Sequence, residues 1–599
     1  MAIQKIKDFT WWLDLNEPTS IDDNAFSVLK NMSYNDKLQL QTRRWYRPIF
    51  DSVGSEPFTS FYNYRNDETN EMITVGFSWT TFYELDSSEE RQSVRSNLVW
   101  EEYCGRYAGA KVRLDFAPYR WDLYMADGVN PYAKYSGGSY TQIGITSVGA
   151  CTFDNTTNTV TSSDHWLVDG DRVIFGGTGT LPAEIQTNIT YYVIFVSNNE
   201  FRISLCPDLV VFPFTDNGSG SLEVFESQQP KLRYLQYIAD RMYGGWDTTT
   251  PQTLYYTWAL PANADNIWGN AVIVWADEGW VISWLTELQQ NVIVTKTNKI
   301  YAVNVVTPSV DAIDAQWWAY ANRVITNVEN GLFIYTDRWV DQLQARDGVS
   351  GSASIFSEPM SQKVRLFFDA VDQVNYKFAC ALYIPSMNKF FCSFDSNNDQ
   401  IPDKTLVWDT RANAWSEFTY PNLYTYGQYE TATQKKFLFA PSAWGQLFEM
   451  EAWFDDNGAD IPVVAVTKNF DFGDPVQLKT FDFVDVSWYK QESWVIEVEV
   501  FVDGVSVGLW LVDDGDIDTS TINAGIGITT LGTDTIWSSS TDTDDRLQLY
   551  PFNVKIPFFT RGANIQIALR SEWVQWILSQ MRVSVNTEPV ELFNFWSIK

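Results

Sequence analysis

The sequence predicts an all-β protein: a β-propeller of about five to seven blades, with an inserted small β-sandwich and a C-terminal β-sandwich. Three observations predict it. Helical periodicity is almost absent, and the chain reads as short runs of Val, Ile, Tyr, Phe, Trp and Thr broken by Gly, Asn, Asp and Pro. Aromatic residues are dense, with 27 Trp, 30 Tyr and 38 Phe, and flat side chains suit pleated, half-buried surfaces and protein contacts. A loose unit also recurs every ~40–50 residues, an aromatic strand, a turn with Asp or Asn, then a second aromatic strand. Examples are Glu71 to Leu85, Trp121 to Tyr135, Lys299 to Val305, Gly331 to Val340, Lys389 to Phe418 and Lys436 to Met450.

The elements follow in chain order. Residues 1–50 form an N-terminal extension joining the propeller, with one short helix expected over Ile21 to Met32. There Asp22 or Asp23 could cap, and Phe26, Leu29 and Met32 recur at helical spacing. Residues 51–137 hold the first blades, and 230–460 the remainder. Between them, 138–229 shift to Thr, Asn, Gly and Val and read as an inserted immunoglobulin-like β-sandwich hanging from the rim. Residues 461–599 have longer alternating strands and read as a separate β-sandwich. Asp-Gly pairs at 127–128, 169–170, 347–348, 503–504 and 514–515 mark tight turns, because Gly supplies positive φ.

Composition excludes several functions. Lys plus Arg number 42 against 75 Asp plus Glu, a formal charge of −33, whereas duplex binding needs clustered cations. The densest basic spot, Arg43-Arg44-Trp45-Tyr46-Arg47, reads as a solvated strand end or interface group. Five cysteines (Cys104, Cys151, Cys206, Cys380, Cys392) include no C-x-x-C, and Cys380 and Cys392, flanking an expected hairpin, read as reduced core thiols. No signal-type or membrane-spanning apolar run occurs, so synthesis in a cytoplasm without a membrane anchor is expected. Phosphate-loop and dinucleotide fingerprints are absent, and no cofactor is expected.

A Ser-His-Asp or Cys-His site would have to use the one histidine, His165, which sits in the insertion at the start of an expected strand and reads as structural. Zinc catalysis lacks ligands. A glycosidase needs only two carboxylates, and scattered acidic residues neither supply nor forbid such a pair. Asp395, Asn397, Asp399 and Asp403 alternate as calcium ligands do but lack the Gly and distal Glu of an EF-hand, so turn formation is the favoured reading. Asp514, Asp516 and Asp518 form a second such run. Trp11, Trp12, Trp317, Trp318, Trp573 and Trp576 are candidates for subunit contacts, since adjacent strand residues face opposite sides and Trp dominates interface hot spots.

Three segments carry a resemblance. Gly54 to Leu85 with Leu123 to Tyr135 resembles the first blades of propeller-bearing nozzle proteins of phage tails. His165 to Phe175, Gly179 to Pro182, Thr190 to Val193 and Thr215 to Gly220 are similar to a small β module of phage virion proteins. Thr467 to Pro475, on to Lys479, resembles the junction after the propeller in the same nozzle group. The resemblance implies a non-enzymatic tail subunit of short-tailed or crAss-like phages, located in the virion and assembled as a ring, six-fold in that group. Its partners would be its own copies and other tail and connector proteins, with genomic DNA passing through without specific binding. An acidic lumen would repel phosphates, although solubility explains the charge equally well. A glycan- or receptor-binding tail-tip protein is the alternative, and a polysaccharide depolymerase the next.

Overall fold

The computed structural model describes residues 2–587 apart from 7–12, 16–24, 50–56, 86–90, 96–113, 275–280, 314–323, 346–354, 454–460 and 513–549, and stretches of one to four residues elsewhere. Strand accounts for 62% and helix for 3%, so the all-β class holds. The helical turns among the described residues lie together, at Gln362–Val364, Arg365–Asp369 and Gln373–Phe378.

Consecutive strands pair antiparallel into four-stranded sheets. The first runs from Phe58–Arg65 to Arg91–Arg95 and the second from Asp115–Tyr119 to Ser139–Gln142. The third spans Tyr234–Ile238 to Asn270–Ile273, the fourth Ile282–Leu288 to Val310–Ala312, and the fifth Ile325–Val328 to Ile355–Pro359. A sixth, Cys380–Ile384 to Ala414–Phe418, continues into a wider sheet. The last takes three strands from Leu423–Glu430 to Phe448–Trp453 and its fourth, Trp45–Pro48, from near the N-terminus. Arg47 seals that pairing with a 2.9 Å ion pair to Glu449.

Each sheet shares an apolar layer with the next. Phe82, Leu123 and Tyr135 join the first to the second, and Tyr124, Leu235 and Met242 the second to the third. Tyr243, Leu285 and Val294 continue to the fourth, and Ile293, Ile300 and Leu332 to the fifth. Phe333 and Phe390, ring centroids 4.9 Å apart, lead to the sixth, and Phe391, Phe418 and Tyr426 to the seventh. Phe58, Tyr429 and Leu438 return to the first. At that return a Cβ on Gly427 would lie 2.7 Å from the Phe61 Cβ, so the two sheets approach closely only because position 427 lacks a side chain. Sheets stacked face to face in this way are β-propeller-like.

The insertion is not a sandwich. Its six strands, from Ile145–Asp154 to Leu222–Ser227, form a closed barrel filled by Phe153, Val173, Phe175, Tyr191, Phe201 and Val224. Closure arises because the ten-residue strand Ile145–Asp154 bends at a bulge between Ser147 and Gly149 and pairs with both Thr159–Thr161 and Leu222–Ser227.

The expected N-terminal helix is also corrected, since Phe26–Lys30 and Met32–Tyr34 are strands. Phe26–Lys30 pairs antiparallel with Val463–Thr467 through a bulge between Phe26 and Val28. The bulge buries Phe26 and Leu29 while Val28 is 40% exposed, which turns the strand's period of two into the spacing of three that reads as helical. Nor is the C-terminal sandwich separate. Its two sheets take strands from the N-terminal segment, and Phe26, Leu29, Trp488 and Val498 share one core with Phe390, Trp408 and Trp415 of the sixth sheet.

Candidate functional site

The Asp395–Asp403 run is the turn between Lys389–Phe394 and Lys404–Asp409 of the sixth sheet. Its carboxylates are engaged by backbone. Buried Asp395 accepts from the amides of Asp399 (3.1 Å) and Gln400 (2.7 Å), and Asp399 from Ile401 (2.9 Å). Asp403 accepts from the Ser396 amide at 2.6 Å and hydroxyl at 2.8 Å, while Asn397 accepts from Asp399 at 3.1 Å. Asn398 and Gln400 adopt φ of 63° and 72°, which lets the turn coil back on its own carboxylates. Burial raises the Asp395 carboxyl above its ordinary range against the lowering effect of those amides. Among the described residues no group of three His, Cys, Asp or Glu is placed to hold a metal. The 514–518 run lies outside the described residues.

His165 is buried in the barrel, its ring edge-on to Phe201 at 5.2 Å and to Phe195 at 6.1 Å. Among the described residues neither ring nitrogen has a hydrogen-bond partner, and no nucleophile–base pair is formed there. Cys151, Cys380 and Cys392 are buried, with burial pushing the Cys151 thiol up to about 12. Two carboxylates converge at Lys134, which lies 3.1 Å from Asp265 and 3.9 Å from Asp122, with the Tyr124 hydroxyl donating to Asp265 at 2.8 Å. A lysine between them makes this an ion-pair cluster between the second and third sheets.

Of the tryptophans proposed for contacts, Trp576 is fully buried in the sandwich and donates to the Ser571 hydroxyl at 2.8 Å, so it is core. Trp11, Trp12, Trp317, Trp318 and Trp573 lie outside the described residues. The basic spot is corrected at one position: Arg44 is exposed just before the strand Trp45–Pro48 and Arg47 is partly exposed, as a strand end should be, but Arg43 is not. Arg43 is completely buried, donating to Asn31 Oδ1 at 3.0 Å and to the Thr419 carbonyl at 2.7 Å over the Tyr420 ring at 4.8 Å.

Sequence reading missed the surfaces that stay apolar. Val505–Val512 has a strand hydrogen-bonded to it on one side only among the described residues. There Val505, Leu509 and Leu511 are 67%, 53% and 59% exposed. Asp503-Gly504, with φ of 50° and 77°, makes the tight hairpin that pairs this strand with Ile496–Val502. The signal was present in VSVGLWLV, where apolar residues occupy both faces. The barrel's seat on the third sheet was also invisible. Asp247, 1% exposed at its side chain, pairs with Arg172 of the barrel at 3.0 Å and accepts from the Lys231 amide at 2.7 Å. Lys231 in turn donates to the Tyr192 hydroxyl at 3.2 Å, and burial lowers its ammonium below the usual range.

No family model matches the chain, and no curated protein matches it. Solved structures similar to parts of it include the exo-β-1,3-galactanase of Phanerochaete chrysosporium with galactose, at 10% identity and TM-score 0.22, covering 59% of this chain and 95% of that one. The N-terminal domain of Nup159 is similar at 10% identity and TM-score 0.24, over 54% of this chain and 80% of that one. Kluyveromyces lactis Hsv2 is similar at 9% identity and TM-score 0.25, over 61% and 98%. At these scores the likenesses carry no argument about what this chain does.

Proposed function

We propose that this chain is a non-catalytic structural subunit of a bacteriophage tail, assembling with its own copies into a ring, six-fold as in the nozzle group it resembles. The ring would lie distal to portal and connector, and genomic DNA would pass through it without specific binding. In this reading the four-stranded sheets are seven blades of one propeller, supported by the circuit of shared apolar layers and by the N-terminal strand that completes the last sheet. The observation carrying the assembly reading is the Val505–Val512 edge. A long strand that is an edge among the described residues, with outward Leu509 and Leu511, is a pairing hazard in a lone subunit and is covered in an assembly. The charge of −33 supports passage of DNA, because a wall of that sign repels phosphate.

Light scattering and negative-stain microscopy of the purified chain, alone and with tail and connector proteins, test the proposal. Rings with a hole near the ~20 Å width of a duplex are the expected outcome. A chain that stays monomeric beside those proteins overturns it.

A further inference from the structure

On the second and third sheets two tight turns and a segment running beside one of them leave aromatic side chains in solvent. Arg120 and Trp121 form the turn between Asp115–Tyr119 and Asp122–Ala126, and Ala239 and Asp240 the turn between Tyr234–Ile238 and Arg241–Gly245. The segment after Thr253–Tyr256 runs beside the second turn, with Thr257 donating to the Met242 carbonyl at 3.0 Å and Leu260 to the Asp240 carbonyl at 2.8 Å. Trp258 is 73% exposed, Leu260 63% and Trp121 40%.

The surface beneath them is built. The Tyr119 and Tyr237 rings meet edge to face at 5.2 Å, joining the two sheets. Arg120 lies over both Tyr119 (5.4 Å) and Trp121 (5.9 Å), and the Tyr237 hydroxyl donates to Asp240 at 3.1 Å. The backbone is strained in the same place. Arg120, Ala239, Asp240 and Leu260 have φ of 57°, 45°, 65° and 48°. Gly or Asn would take those positions without strain, whereas Arg, Ala and Leu there each cost on the order of 1–2 kcal/mol. Strain retained by bulky residues at one surface points to a use for that surface.

We propose that this face binds an uncharged hexose-based glycan. Flat indole faces match the C–H face of a pyranose, and Arg120 and Asp240 offer a donor fork and an acceptor for its hydroxyls. A polyanionic glycan would approach against a chain charge of −33. A protein partner fits less well, because the exposed apolar area is a few hundred Å², about half of the ~800 Å² per side that stable interfaces bury. The inference is independent of ring assembly.

The test is a glycan array carrying neutral gluco-, galacto- and manno-oligosaccharides beside uronate and sulfated ones, probed with the full chain. Titration of the best neutral oligosaccharide into Trp258→Ala, Arg120→Ala and Trp166→Ala variants follows. Trp166 is a control, an exposed tryptophan on the barrel whose Nε1 donates to Glu226 at 2.8 Å. Expected are neutral ligands whose affinity falls about tenfold or more in the first two variants and is unchanged in the third. Retention of acidic glycans alone, no retention at all, or affinity indifferent to Trp258 overturns the proposal. Light scattering on the same samples reports assembly separately.

Discussion

Asn31 Oδ1 accepts a 3.0 Å hydrogen bond from Nε of the fully buried Arg43, and the same oxygen accepts from the Thr419 amide at 2.7 Å. Its Nδ2 donates to the Pro462 carbonyl at 2.7 Å. One carboxamide therefore ties together the N-terminal segment, the end of the sixth sheet and the start of the C-terminal sandwich. Asn31 has φ 56°, a conformation that Asn accepts more readily than Ala. Asn31→Ala should cost about 3 kcal/mol, read as a lower denaturant midpoint. Asn31→Gly relieves the backbone but still loses the amide, so it should recover only part of that loss.

Lys389 and Glu451 form a 3.3 Å ion pair with side chains 7% and 2% exposed. Glu451→Gln strands a buried ammonium and should cost about 3 kcal/mol. Replacing both, as Lys389→Met with Glu451→Leu, should recover most of it, measured by thermal unfolding. Equal losses in the single and double variants would show that shape rather than charge is at stake.

Asp247 holds the barrel to the third sheet through Arg172 and the Lys231 amide. Asp247→Ala should leave the barrel folded, because its core of Phe153, Val173, Phe201 and Val224 is its own. It should loosen its seat, seen as faster hydrogen exchange at Tyr192 and Lys231 and blurred barrel density in class averages. Unchanged exchange at both would assign the orientation to other contacts.

Burial, with Glu223 adding to it, pushes the Cys151 thiol up to about 12. The folded chain keeps a proton that the unfolded chain releases near pH ~8.5. The stability this contributes is full below that pH and is lost as pH rises towards the folded value. Cys151→Ala should therefore lessen the alkaline loss of stability by about 1–2 kcal/mol between pH ~8.5 and ~10. Parallel pH curves for the two proteins would contradict this.

Leu509 and Leu511 lie beside Glu499 and Glu497 on the outer face of the last strand pair. Leu509→Lys with Leu511→Lys should change monomer stability by less than about 1 kcal/mol, since both side chains are mostly solvated. Assembly should fall by at least about tenfold in midpoint concentration by light scattering. Unimpaired assembly would move the interface elsewhere.

What the sequence by itself determined was local. Aromatic and β-branched runs cut by turn residues fixed the all-β class, Asp503-Gly504 fixed a hairpin, and the Thr/Asn/Gly shift located the insertion. Each depends on neighbours a few residues away. The loop Asp395 to Asp403 was likewise legible as a turn, because Asp and Asn close onto amides two to five residues on.

What only the tertiary structure decided was pairing. Phe26 and Leu29 share a spacing that a helix and a bulged strand both satisfy, and the choice rests on Val463–Thr467 at the far end of the chain. Whether Leu222–Ser227 returns to Ile145–Asp154, making a barrel, depends on a bend that no pattern of apolar residues encodes. Arg43 and Trp576 read as surface residues and are core, because burial is set by which sheets face each other. Strand partners are chosen by matching edges hundreds of residues apart, and the hydrophobic pattern names the faces without naming the neighbour.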